Sequence, residues 1–133
     1  MIENRSMMRA SVIPELRYED VGEAVEWLCR AFGFRERLRI GDHRAQLHFG
    51  DGALVVSENG TQRGVVMVRV EDADRHHDEA VRNGARILSP PADYSYGERQ
   101  YTAEDPAGHH WTFSQTIADV DPAEWGGAAV DLG

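Results

Sequence analysis

The segment Asp105-Pro-Ala-Gly-His-His-Trp-Thr-Phe-Ser-Gln115 sets two adjacent histidines directly after a tight turn, at the start of an apolar strand. An imidazole in such a place can ligate a metal or carry a proton near neutral pH. Ligation needs several donors, and the alternation of a strand groups His110 only with Thr112 and Ser114, leaving Trp111 and Phe113 for the opposite, core face. His110 is therefore expected to be a hydrogen-bonding wall residue, and His109 to close the turn. Glu15 raises a second possibility: a carboxylate beside Pro14 in an apolar strand must be paired, solvated or protonated. Arg17, Arg69 and Arg99 are its candidate ion-pair partners, and with His48 it would form an acid–base pair. His76 and His77 read as helix-surface or boundary residues.

These side chains are positioned by a repeated plan. An apolar stretch, an acidic pair and a helical pattern occur first around Glu19-Asp20 and again around Glu71-Asp72, with Arg17 matched by Arg69. Asp20 fits the N-cap of a helix over about 21–32, with Glu23 completing a capping box and Gly33 supplying the left-handed exit. The second helix starts after Asp72 and ends near Asn83-Gly84. The period then changes to two: Ala45, Leu47 and Phe49 face one way, Gln46 and His48 the other, and Asp51-Gly52 turns the chain back. The fold class expected is α+β: two βαβββ modules, about 11–59 and 65–115, forming a curved, partly closed mixed sheet with the helices outside. Residues 1–10 read as an N-terminal extension and 116–133 as a C-terminal tail, in which Trp125 is expected to dock on the domain or on a partner subunit.

The concave face of such a sheet makes a pocket for a small molecule. Parity assigns Glu15, Gln46, His48, Met67, His110 and Thr112 to its wall. The turn-rich stretch Ser89–Gly97 reads as a segment at the mouth, either an ordinary connecting loop or an aromatic lid carrying Tyr94 and Tyr96. Arg99 and Tyr101 join the candidate set, although the pattern leaves open whether they or Gln100 and Thr102 turn inward.

A net charge of −9 with no basic cluster argues against nucleic acid, and no apolar run is long enough for a membrane span. The start MIENRSMMRA does not read as a secretory leader, so a cytoplasmic location is expected. Cys29, the one cysteine, is expected to be a small core residue.

The pieces Tyr-Glu-Asp-Val at 18–21, Ala-Phe-Gly-Phe at 31–34, Phe-Gly-Asp-Gly at 49–52 and Asp-Pro-Ala-Gly-His at 105–109, in that order, resemble the vicinal oxygen chelate superfamily of glyoxalases, bleomycin-resistance proteins and dioxygenases. The resemblance covers about residues 11–115. It implies metal ligands at positions here held by Ile13, Val65 and Thr112, none of them a plausible donor set, and Glu58 cannot make a site alone. The expectation is a protein without metal or other cofactor that resembles the bleomycin-resistance branch, a homodimer sequestering an aromatic or antibiotic-like ligand. A lyase or isomerase of glyoxalase type, another enzyme using His48 and Glu15, and an accessory domain without a ligand remain alternatives, and no catalytic residue is assigned.

Overall fold

The computed structural model describes residues 2–60 and 63–128. The chain divides into two compact units, one reaching Gly64 and including Pro106–Gly108, the other comprising Val65–Asp105 and the chain from His109. Each is a four-stranded mixed sheet with a helix, the βαβββ plan expected from the repeat.

In the first unit, β1 (Glu15–Tyr18) leads into α1 (Val21–Trp27), which continues as a π-helical stretch over Leu28–Phe32. Asp20 caps it, its carboxylate accepting from the Glu23 amide at 2.9 Å, and Gly33 ends it at φ 85°. Then come β2 (Arg35–Ile40), β3 (Arg44–Phe49) and β4 (Gly52–Glu58), giving the sheet order β1-β4-β3-β2 with β1 parallel to β4. The β3–β4 turn falls at Gly50-Asp51, one residue earlier than expected. Gly50 takes the positive φ of 57°, and Gly52 already pairs with Phe49. Leu16, Ala45, Leu47, Leu54 and Val56 are buried together with Val21, Val25, Leu28 and Phe32 of the helix. Cys29 is half-buried, and desolvation raises its thiol pKa, which disfavours the reactive thiolate.

In the second unit, β5 (Val65–Arg69) precedes α2 (Ala73–Arg82), capped by Asp72 through the Arg75 amide at 3.1 Å. β6 (Arg86–Tyr94), β7 (Glu98–Glu104) and β8 (His110–Thr116) complete the order β5-β8-β7-β6. Trp111, Phe113, Tyr101 and Ala103 are fully buried on the helix side, as the parity of the strand required for the first two. The turn before β8 is closed by Asp105. Its carboxylate accepts from the His109 amide at 3.0 Å and the Trp111 indole at 3.1 Å, so His109 contributes main chain rather than its ring to these bonds.

One segment differs from its sequence reading. Ser89–Gly97 is not a connecting loop: β6 runs through it to Tyr94, and only Ser95–Gly97 turns. Pro90 and Pro91 lack the amide hydrogens that a ladder uses, which is why they suggested a loop. The sheet accommodates them because β6 is an edge strand with register shifts on either side of Ser89.

Candidate functional site

The face of the second sheet away from α2 carries alternate residues of all four strands. Met67 lies opposite Thr112, which lies opposite Thr102; Ser114 pairs with Gln100, and Glu98 with Thr116 and Tyr94. These polar groups form a directed chain of hydrogen bonds. Tyr96 donates its hydroxyl to Gln100 Oε1 at 3.0 Å, Gln100 Nε2 donates to Ser114 Oγ at 2.9 Å, and Ser114 donates to Glu98 at 2.7 Å. Arg69 donates to the Thr116 hydroxyl and stands 3.9 Å from Glu98, while Thr102 and Thr112 share a hydrogen bond of 3.1 Å. A row satisfied in this way holds its side chains in fixed directions.

An aromatic wall borders the row. Tyr94 and Tyr96 stack at 5.5 Å and 15°, and Trp125 packs edge-on against Tyr96, also at 5.5 Å. The tail is docked there by its own turn, Pro122–Trp125, capped by Asp121. The Trp125 contact is thus with the domain. Tyr94 is 41% and Trp125 46% exposed, and Met67 and Val65 are open at 65% and 79%, so a broad apolar and aromatic surface flanks the hydrogen-bonding groups.

Tyr94, Tyr96, Met67, His110 and Thr112 are therefore brought to one face. Arg99 and Tyr101 are on the other. Arg99 bridges Asp93 and Asp74 at 2.8 and 2.9 Å, and Tyr101 is buried beneath α2, hydrogen-bonded to the His76 ring. Burial pushes the Tyr101 phenol pKa up, keeping it protonated at neutral pH. The pair on the face away from α2 is Gln100 and Thr102. These two, with Glu98 and Ser114, complete the row; the register opposite Thr112 and Ser114 was the signal that could have found them.

Glu15, Gln46 and His48 share the corresponding face of the first sheet. Glu15 accepts from Ser57 at 2.8 Å and is flanked by Arg17 at 3.7 Å and Arg44 at 3.5 Å. These bonds satisfy the carboxylate, and the partner not anticipated is Arg44. Gln46 is 4% exposed, its amide engaged by Arg37 and by the Ser6 carbonyl. A cleft of about 510 Å³ in this unit lies elsewhere, beside α1, with Glu19, Asp20, Glu23 and Trp27 among its walls.

The side chains do not fit a metal of the kind the superfamily resemblance implies. Ile13 and Val65 offer no donor atom, and the Thr112 hydroxyl is bonded to Thr102. Among the described residues no three His, Cys, Asp or Glu side chains converge as a ligand set.

Glu98 gives the face a defined charge. The hydrogen bond from Thr116 holds its carboxyl below the ordinary value of 4.5 against partial burial, with Ser114 and Arg69 acting in the same direction. The fold thus favours the ionised form. The resulting stability is present in full above the ordinary carboxylate value and is lost as pH falls through the lower, folded-state value. Urea unfolding at successive pH values should show Glu98→Gln about 1 kcal/mol less stable at pH 7, with the deficit shrinking towards pH 3. A deficit constant with pH would place the effect in packing rather than charge.

The comparisons with known proteins agree with this architecture. Residues 11–113 match the model of the Glyoxalase/Bleomycin resistance protein/Dioxygenase superfamily. An uncharacterized protein of Mycobacterium bovis is 27% identical over 103 residues, 77% of this chain and 66% of its own length, so the match spans about two thirds of that relative. The crystal structure of TioX from Micromonospora sp. ML1 superposes with a TM-score of 0.74 at 35% identity, covering 81% of this chain and 99% of that one. Fosfomycin resistance protein FosX from Mesorhizobium loti shares the fold with a TM-score of 0.63 at 16% identity, covering 82% and 93%. With three quarters of its length matched by the family model and its strands in the βαβββ order twice over, the chain belongs to the glyoxalase/bleomycin resistance protein/dioxygenase superfamily.

Proposed function

We propose that the protein binds a planar organic molecule without a metal and sequesters it, in the manner of the bleomycin-resistance branch. One observation carries this reading: on the second sheet an aromatic wall of Tyr94, Tyr96 and Trp125 stands beside a row of fixed hydrogen-bonding groups, with exposed Met67 and Val65 next to it. A flat ring would stack on the wall, and Thr102, Thr112 and His110 would orient its polar edge. Met67 adapts its shape to the apolar part of the ligand. The ionised Glu98 favours a ligand with a positive charge near that end. An aromatic, antibiotic-like molecule meets these requirements.

The same reading takes the protein to be a homodimer. In support, edge strand β5 exposes Val65 and Met67, apolar area that a second copy or the ligand would cover.

A thermal-shift screen of aromatic antibiotics and metabolites, with hits titrated calorimetrically in the presence and absence of a chelator, tests the proposal. Binding is expected to be the same in both buffers, and the ligand to be recovered chemically unchanged. Affinity that vanishes with chelator, or a converted ligand, would replace the binding protein with a metal-dependent or catalytic one.

A further inference from the structure

The polar face of the first sheet is covered at Gln46, and what lies on it there is the chain's own N-terminal segment. Asn4 folds that segment into a turn, its side chain accepting from the Ser6 amide at 3.0 Å and its carbonyl from the Met7 amide at 3.3 Å. The turn directs three successive main-chain carbonyls at two side chains. Arg37 donates to Arg5 O at 2.7 Å and to Met7 O at 3.2 Å, and Gln46 donates to Ser6 O at 2.9 Å. Arg37 also donates to Gln46 Oε1, so the two side chains form one unit. Its place follows from local structure: the register of β2 on β3 shifts between Glu36 and Leu38, and the bulge takes Arg37 out of the regular alternation.

We propose that Arg37 and Gln46 form a subsite for consecutive amide carbonyls, and that Arg5–Met7 is its internal occupant, a strap that a ligand of peptide-like chemistry displaces. The hydrogen bonds to the segment are all made to main-chain oxygen, and the Met7 sulfur adds a weak contact to Gln46 at 3.9 Å. Any chain of amides with the same spacing offers the same acceptors. The segment's ion pair, Arg9 with Glu3, is internal to it and exposed at both ends, so it does not tie the strap to the sheet. A few ordinary hydrogen bonds set against the ordering of several residues leave the strap weakly held. Its removal would expose Gln46, a polar group buried at 4% exposure that needs a replacement partner.

The nature of the displacing ligand rests on the proposed small-molecule function, whereas the strap and its clasp can be tested without any such ligand. The chain lacking residues 1–8 would be titrated with a synthetic peptide of sequence IENRSMMR and followed by NMR at millimolar peptide. The expected result is saturable binding, at least tenfold weaker when Gln46→Leu is added, and no binding to the full chain at the same concentrations. Undetectable binding to the truncated chain, or equal binding to the truncated and full chains, would overturn the proposal. Should the truncated chain not fold, trypsin digestion of the full chain serves instead. Cleavage after Arg5 and Arg9 should be several-fold faster in Gln46→Leu than in the parent, and an equal rate would likewise overturn it. A screening hit that binds at Tyr96 while the peptide fails to bind the truncated chain would leave the binding function standing and sink only this inference.

Discussion

Replacing Asp105 by alanine is expected to lower the unfolding free energy by about 3 kcal/mol. Asp105 is 4% exposed, and its two oxygens serve two donors inside the second unit, the His109 amide and the Trp111 indole. Alanine removes both acceptors at once, and Trp111 is wholly buried, so its indole N–H has no ready substitute in water. The carboxylate also sets the entry of β8, which places Trp111 and Phe113 under α2 and His110, Thr112 and Ser114 on the other face. A slip of one residue would exchange the two sets. Asp105→Asn keeps an acceptor for one donor and should lose about half as much. Urea unfolding of the three proteins decides the matter; a loss below about 1 kcal/mol for alanine would mean that both donors find other partners.

Tyr96→Ala is expected to weaken a bound planar ligand by about 2 kcal/mol, roughly 30-fold in Kd. Two effects combine. The Tyr96 ring lies between Tyr94 and Trp125, so its loss removes a stacking surface and loosens both neighbours. Its hydroxyl is the first donor in the chain through Gln100 and Ser114 to Glu98, and without it the Gln100 amide is free to turn. Tyr96→Phe separates the two, keeping the ring while losing the hydroxyl, and should cost only a few-fold. Calorimetry with one screening hit on the parent and both variants reads the difference. Equal affinity for all three would remove the aromatic wall from the site.

Much of this architecture could be read from the sequence because it is written in local chemistry. Asp20 and Asp72 cap helices through amides three residues on, and Trp111 and Phe113 alternate with Thr112 and Ser114, so the repeat and the faces of β8 followed from short-range rules. Tyr94 and Tyr96 stand out as candidates for the same reason, and the structure stacks them on each other. What eluded the sequence depends on pairing between strands. Pro90-Pro91 signals a loop unless the strand is known to lie at an edge, and the facing of β7 cannot be chosen until its register with β8 is known, so Arg99 and Tyr101 stood level with Gln100 and Thr102. Arg37 was invisible as a binding group because a bulge, not the strand period, places it.

The most direct test of the binding face is a methionine-methyl NMR titration with a hit from the screen. The chain has four methionines; among the described residues Met67 alone is on the second sheet, and Met7 is in the strap over the first. With 13C-methyl-labelled protein, the expected result is a Met67 resonance that moves saturably with the calorimetric Kd and no longer does so at the same concentrations in Tyr96→Ala. A ligand that saturates the protein while the Met67 resonance stays in place would contradict a site on this face.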